Sequence, residues 1–168
     1  MTLANALTIC RFALSIALLI PNAFSQPFFA IYVLAGLTDM LDGYVARSTG
    51  SESEFGAKLD SIADLVLVIV CLVKMLPAIY VPVWLWVWIA VIVLVKAVNA
   101  ASGLVLKKRL VIPHTIANKA AGLVVFLVPF AIPLFGITTP AIIACVMATF
   151  AAIQEGHLIR LGSLDLAA

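Results

Sequence analysis

The chain has 168 residues, 65% hydrophobic and 11% charged, with a formal net charge of +2 and a mean hydropathy of +1.23. That balance lies far outside a soluble globular domain and defines an integral membrane protein. So small a net charge excludes an electrostatic argument for nucleic acid. At about 20 residues per span the length leaves no room for a separate soluble domain, so residues 1–168 are read as one transmembrane domain.

Turn-forming stretches at 21–27, 47–55, 77–82, 107–113 and 135–140 interrupt the apolar sequence. They predict an all-α fold of six transmembrane helices, over 6–22, 28–47, 56–76, 82–105, 115–134 and 138–158. Lys and Arg near helix ends gather on the cytoplasmic side. The first, third and fifth breaks carry no charge, whereas Arg47 and Lys58 flank the second, Lys107, Lys108 and Arg109 fill the fourth, and Arg160 lies in the tail. Both termini are therefore expected in the cytoplasm. Lys74, near the outer end of the third helix, is the exception and is read as snorkelling.

In the first helix Asn5, Thr8 and Arg11 recur every three residues and lie along one side. Arg11 ahead of an apolar stretch, with Ala23-Phe24-Ser25 after it, also mimics a secretory signal and its cleavage site. The polar face favours a retained helix.

The second and third helices carry the densest pattern, Asp39-x2-Asp42-Gly43-x2-Ala46-Arg47-x8-Gly56-x3-Asp60-x3-Asp64. The four motif aspartates are half of the chain's eight acidic residues, and a bare carboxylate inside a membrane helix costs about 2.5–3.5 kcal/mol. Asp39 and Asp42 are three apart and Asp60 and Asp64 four apart, so each pair projects from one helix face. Counting back from Arg47 and forward from Gly56, both pairs lie about 12 Å below the same rim. Antiparallel helices joined by a short loop then bring four carboxylates into one cavity open to the cytoplasm.

Four such charges require cations, and clustered hard oxygens suit two Mg²⁺ or Mn²⁺ ions. A two-metal carboxylate site fits phosphoryl chemistry, because it stabilises both the attacking and the leaving oxygen. Arg47 at the cavity mouth adds a planar donor for a diphosphate. Gly43 and Gly56 allow close approach of a ligand or equally of a neighbouring helix.

In the fourth helix Trp84, Trp86 and Trp88 read as an interfacial aromatic belt. Lys96, Asn99 and Gly103 share one side, with Lys96 about 16 Å inside the rim, too deep for comfortable snorkelling. The basic loop Lys107, Lys108 and Arg109 reads first as a topology signal that attracts anionic headgroups. With Lys96, Asn99, His114, Asn118 and Lys119 it also offers a pocket for the phosphate or carboxylate of an acceptor. Glu155 and His157 near the end of the last helix read as interfacial. Cys10, Cys71 and Cys145 have no paired spacing and read as small buried side chains.

With all eight defined positions of the motif present, the sequence resembles the CDP-alcohol phosphatidyltransferase family, and its six-helix plan and its Asn5, Thr8 and Arg11 pattern extend the likeness. The resemblance implies transfer of a phosphatidyl group from CDP-diacylglycerol to the hydroxyl of a small polar alcohol, with release of CMP, by a homodimer in a bacterial inner or archaeal membrane. It implies that Asp39, Asp42 and Asp60 are ligands of two metal ions and that Asp64 is both a ligand and the general base. The residues alone let Asp60 and Asp64 exchange those roles. Gly43, Ala46, Arg47, Ser53 and Gly56, with Asn5 and Thr8, would line the CDP-lipid pocket. Members using glycerol 3-phosphate often carry Lys-x-Lys-Thr before the fifth helix, and members using serine an Ala-Arg-Phe-Asn stretch after the fourth. This chain has His114-Thr115-Ile116-Ala117-Asn118-Lys119 instead. Glycerol 3-phosphate is the leading acceptor, with serine, inositol or inositol phosphate as alternatives. A carboxylate-lined ion or proton-coupled transporter and a metal-binding scaffold are the readings from other classes, but neither needs Gly-x2-Ala-Arg between the acid pairs.

Overall fold

The computed structural model describes residues 3–49, 54–107 and 115–161. The described residues are helical apart from their connections and contain no strand. The helices are α1 (Leu3–Ala17), α2 (Gln26–Thr49), α3 (Glu54–Met75), α4 (Val83–Lys107), α5 (Ile116–Phe135) and α6 (Thr138–Leu161). A 3-10 turn, Leu76–Ala78, follows α3.

Each boundary has a local cause. α1 stops at Ala17, short of the expected 22, and the chain closes into turns ahead of Pro21, which disfavours helix in the residue before it. Lys74 donates to the Leu19 carbonyl at 3.0 Å, in the turn just beyond this end. Phe24 has a φ of 61°, unusual for an aromatic residue, and its ring sits 6.3 Å from that of Phe28. Ser25 accepts from the Phe28 amide at 3.4 Å in the manner of an N-cap and donates to the Asn22 carbonyl at 2.7 Å. At the start of α5 the Thr115 hydroxyl accepts from the Asn118 amide at 3.1 Å. α5 ends on Gly136 at φ 69° and ψ 178°, a region open only to glycine.

The chain forms two compact units that meet in sequence between Tyr80 and Val81. In the first, α1 packs along both α2 and α3. Its buried face is Thr8, Arg11, Ser15 and Leu18, a stripe that is polar up to Ser15. α2 answers with Phe28, Tyr32, Ala35 and Asp42, and α3 with Ala63 and Val70. The sides turned outward are apolar: Ile9 and Ile16 on α1, Leu34 and Leu37 on α2, Leu65 and Val68 on α3 are all exposed.

In the second unit α6 packs against α4 and α5. Leu85 meets Ala141 and Cys145, and Ala117 and Ala121 meet Ala151, small side chains that let helix backbones approach. The closest approach is at Gly156, where an added Cβ would lie 2.7 Å from Asn99 Oδ1. Trp88 is drawn into the unit, its indole N–H donating to Thr149 Oγ1 at 3.1 Å. The cysteines are free, but Cys10 is exposed on α1 rather than buried, while Cys145 is buried.

The stretches Val83–Gly103, Ile116–Phe135 and Thr138–Arg160 are long and apolar enough to cross a bilayer, which makes this an integral membrane protein. α2 and α3, with 24 and 22 residues, have the length, but each carries two of the motif aspartates.

Candidate active site

The candidate site of the first unit is built around one arginine. Arg11 projects from the middle of α1, and its side chain is completely buried. Its Nη1 lies 2.7 Å from Asp39 Oδ1 and is also paired with Asp64 Oδ1. Its Nη2 lies 2.8 Å from Asp60 Oδ1 and is paired with Asp42 Oδ2. One guanidinium therefore gathers both acid pairs, two carboxylates from α2 and two from α3. Only a planar fork of several donors can do this, which makes arginine rather than lysine the fitting residue.

The four carboxylates are not equivalent. The Asp42 side chain is 7% exposed and also accepts from Thr8 Oγ1 at 3.1 Å. Asp39, Asp60 and Asp64 are 48%, 43% and 52% exposed, so each keeps an open side. Ser15 secures the next turn of α1 by donating to the Arg11 carbonyl at 2.8 Å. Four carboxylates against one guanidinium (−4 + 1) leave three negative charges at the cluster.

These residues suit a divalent ion. One carboxylate oxygen from each of Asp39, Asp42 and Asp60 falls within a group no wider than 4.8 Å. Opposite ligands of an ion bound at about 2.1 Å lie about 4.2 Å apart, so a small contraction closes the set around one ion. All the donors are hard oxygens, the type Mg²⁺ and Mn²⁺ prefer.

The other expected site residues are placed only in part. Asn5 lies on α1 one helical step before Thr8 and is partly buried, as is Gly43, which follows Asp42 directly. Gly56 lies on α3 one turn before Asp60. Ala46 and Arg47 belong to the last turns of α2, with no side-chain position described. Ser53, Arg109 and His114 lie outside the described residues.

A second polar cluster lies in the other unit. Lys96 of α4 donates to Glu155 Oε2 of α6 and to Asn118 Oδ1 of α5, each at 3.2 Å. Asn118 Nδ2 reaches the same Glu155 oxygen at 3.4 Å. Lys96 is thus engaged within its unit, and its side chain is 41% exposed. Glu155 is buried, and its carboxylate is the counter-charge of Lys96. Asn99 is buried too, its amide donating to the Ala152 carbonyl at 2.7 Å, a helix-packing contact on the face expected to line an acceptor pocket. Lys119 is exposed on α5.

Sequence reasoning placed Arg11 on a polar helix face but not among the site residues, and it overlooked Glu155 and Asn118 as partners of Lys96. A signal existed for each. Arg11 is the one basic residue of the first predicted helix, and the next two predicted helices carry four acids to neutralise. Glu155 is the one acidic residue outside the aspartate motif that falls on a predicted helix.

Fold and site together define a helical membrane protein with a clustered-carboxylate centre. A model of the CDP-alcohol phosphatidyltransferase family matches residues 1–156, and the chain belongs to that family. A CDP-diacylglycerol–serine O-phosphatidyltransferase of Methanocaldococcus jannaschii is 40% identical over 65 residues, 39% of this chain and 30% of the relative. A CDP-diacylglycerol–glycerol-3-phosphate 3-phosphatidyltransferase of Haemophilus influenzae is 49% identical over 51 residues, 29% of this chain and 28% of the relative. A CMP-forming cardiolipin synthase of Rattus norvegicus is 35% identical over 85 residues, 49% of this chain and 28% of the relative. The matches therefore span less than a third of each of these proteins. No solved structure matches the chain significantly.

Proposed function

We propose that the protein is a phospholipid-synthesising transferase that moves the phosphatidyl group of CDP-diacylglycerol to the hydroxyl of a small polar alcohol and releases CMP. The observation that carries this reading is the convergence of Asp39, Asp42, Asp60 and Asp64 on one point, with three of the four keeping an open side. The acceptor oxygen bonds to the phosphorus that carries diacylglycerol, and the bond from that phosphorus to the oxygen bridging to the cytidylate phosphate breaks. CMP leaves with the bridging oxygen, and the acceptor's proton passes to a carboxylate.

In this reading Asp39, Asp42 and Asp60 hold the metal ions, and Asp64 holds a metal and takes the proton. Two Mg²⁺ or Mn²⁺ ions there would offset the carboxylates and stabilise charge on the diphosphate as CMP departs. Thr8 fixes Asp42, the most buried of the four, so the remaining carboxylates are positioned against a rigid member. Asn5, Gly43, Ala46, Arg47, Ser53 and Gly56 form the CDP-lipid pocket. Proximity supplies much of the rate, because a metal-bound carboxylate is a weak base.

The apolar outer sides of α1, α2 and α3 support a six-span arrangement in which these helices also lie in the membrane. The distribution of Lys and Arg supports cytoplasmic termini and a cytoplasm-facing site, in a bacterial inner or an archaeal membrane. One domain acting as a homodimer, with lipid entering from the bilayer, completes the reading.

For the acceptor we favour glycerol 3-phosphate, which the names of several relatives include, over serine, inositol and inositol phosphate. Lys96, Asn99, Arg109, His114 and Lys119 are the proposed acceptor residues. The test is CMP release from CDP-diacylglycerol by purified protein with each acceptor in turn. Release that depends on one alcohol supports the reading and names the acceptor. No release with any of them, and no binding of CDP-diacylglycerol, would contradict it.

A further inference from the structure

Arg11 pairs with each of the acids that could hold a divalent cation. The three acids whose oxygens fall within 4.8 Å of one another are Asp39, Asp42 and Asp60, and Arg11 pairs with every one of them. A nitrogen 2.7 Å from Asp39 Oδ1 and its neighbour 2.8 Å from Asp60 Oδ1 engage carboxylates that a metal would also require. We propose that Arg11 is the built-in counter-cation of the carboxylate cluster: it holds the carboxylates of α2 and α3 together and competes with divalent cations for their oxygens. The inference rests on the metal-binding reading above and adds to it a role for α1.

Three observations carry it. First, the Arg11 side chain is completely buried, and a buried cation removed from water must be held by opposite charge. It is held from two helices at once, so it offsets repulsion that would otherwise drive the acid pairs apart. Second, Arg11 Nε is buried and lacks a hydrogen-bond partner among the described residues. A guanidinium shaped for a single fixed seat would have an acceptor for that donor as well. The fork is gripped only at its outer nitrogens, by groups that a metal can claim. Third, the cluster with Arg11 present keeps three uncompensated negative charges (−4 + 1), which draws further cations in against the one already there. Competition is reciprocal: whatever factor Arg11 takes from metal affinity, the metal takes from the hold on Arg11.

The test compares wild type with Arg11→Gln in detergent, as full chains, by Mn²⁺ binding from electron paramagnetic resonance and by melting temperature with and without chelator. The expected result is a variant that melts lower than wild type in chelator, gains more from Mn²⁺, and binds Mn²⁺ about tenfold more tightly, a coupling of ordinary size. A variant that folds only with Mn²⁺ also agrees with the proposal. Mn²⁺ binding that is unchanged or weaker in the variant, with wild type binding normally, would overturn the proposal and leave the metal site standing. If neither protein bound Mn²⁺, the metal reading would fall and this inference with it. Should Arg11→Gln not fold even with Mn²⁺, Arg11→Lys decides: a point charge cannot span four carboxylates, so tighter Mn²⁺ binding supports competition and weaker binding refutes it.

Discussion

Arg11 and Asp42 form the dry half of an otherwise half-open ionic cluster: their side chains are 0% and 7% exposed, and they pair across the contact between α1 and α2. Asp39, on the same face of α2 and bound to the same guanidinium, is 48% exposed. Replacing the two acids should therefore have unequal effects. Asp42→Asn, which weakens a buried pair, is expected to lower stability by about 3 kcal/mol, and Asp39→Asn by about 1 kcal/mol or less. Thermal melts in detergent with chelator present measure both. Equal losses would contradict the asymmetry.

Asp64, 52% exposed, is the acid assigned to proton transfer. Asp64→Asn should reduce CMP release by about 10²–10⁴-fold, the usual contribution of a general base, while the fold and most CDP-diacylglycerol binding persist. Full activity in this variant would remove Asp64 from the mechanism.

The Lys96 and Glu155 pair links α4 to α6. Glu155→Gln leaves a cation within the second unit without its counter-charge and should cost about 1–3 kcal/mol. Lys96→Met and Glu155→Gln together should cost less than the sum of the single changes, because each single change strands the other partner. In assays of turnover, replacing Lys96 or Lys119 should weaken use of the acceptor more than use of CDP-diacylglycerol. Equal losses for the two substrates would make these lysines structural.

Gly156 faces Asn99 so closely that an added Cβ would lie 2.7 Å from its Oδ1. Asn99 cannot easily yield, since its amide is bound to the Ala152 carbonyl at 2.7 Å. Gly156→Ala should lower stability by about 1–3 kcal/mol. Adding Asn99→Ala should return part of that loss by removing the obstructing oxygen, a sign of coupling that a melt of the double variant reads directly.

Much of this arrangement was legible in the sequence because it depends on local spacing. The interruptions near Pro77, Pro82 and Gly136 located the helix ends to within a few residues, since proline and glycine act on the backbone where they stand, whereas α1 ends at Ala17, ahead of the expected 22. The separation of Asp39 from Asp42 and of Asp60 from Asp64 gave each pair a shared face, and the short connection between α2 and α3 brought the pairs to one end. What spacing cannot say is which face meets which. Asn5, Thr8 and Arg11 were visibly one side of α1, but only tertiary packing turns that side toward both acid pairs. Lys96 and Glu155 are separated by 59 residues, and their pairing depends on α4 and α6 meeting, which no local pattern encodes. The burial of Glu155 follows from the packing of α6 against α4 and α5, which its place near a helix end does not reveal.

The most direct test of the central claim is CMP release from CDP-diacylglycerol by the purified wild-type protein with glycerol 3-phosphate, first in excess chelator and then after adding Mg²⁺ or Mn²⁺. The account predicts no release in chelator, recovery with either ion, and no recovery in Asp60→Asn. Release that continues undiminished in chelator, or recovery in Asp60→Asn equal to wild type, would contradict it.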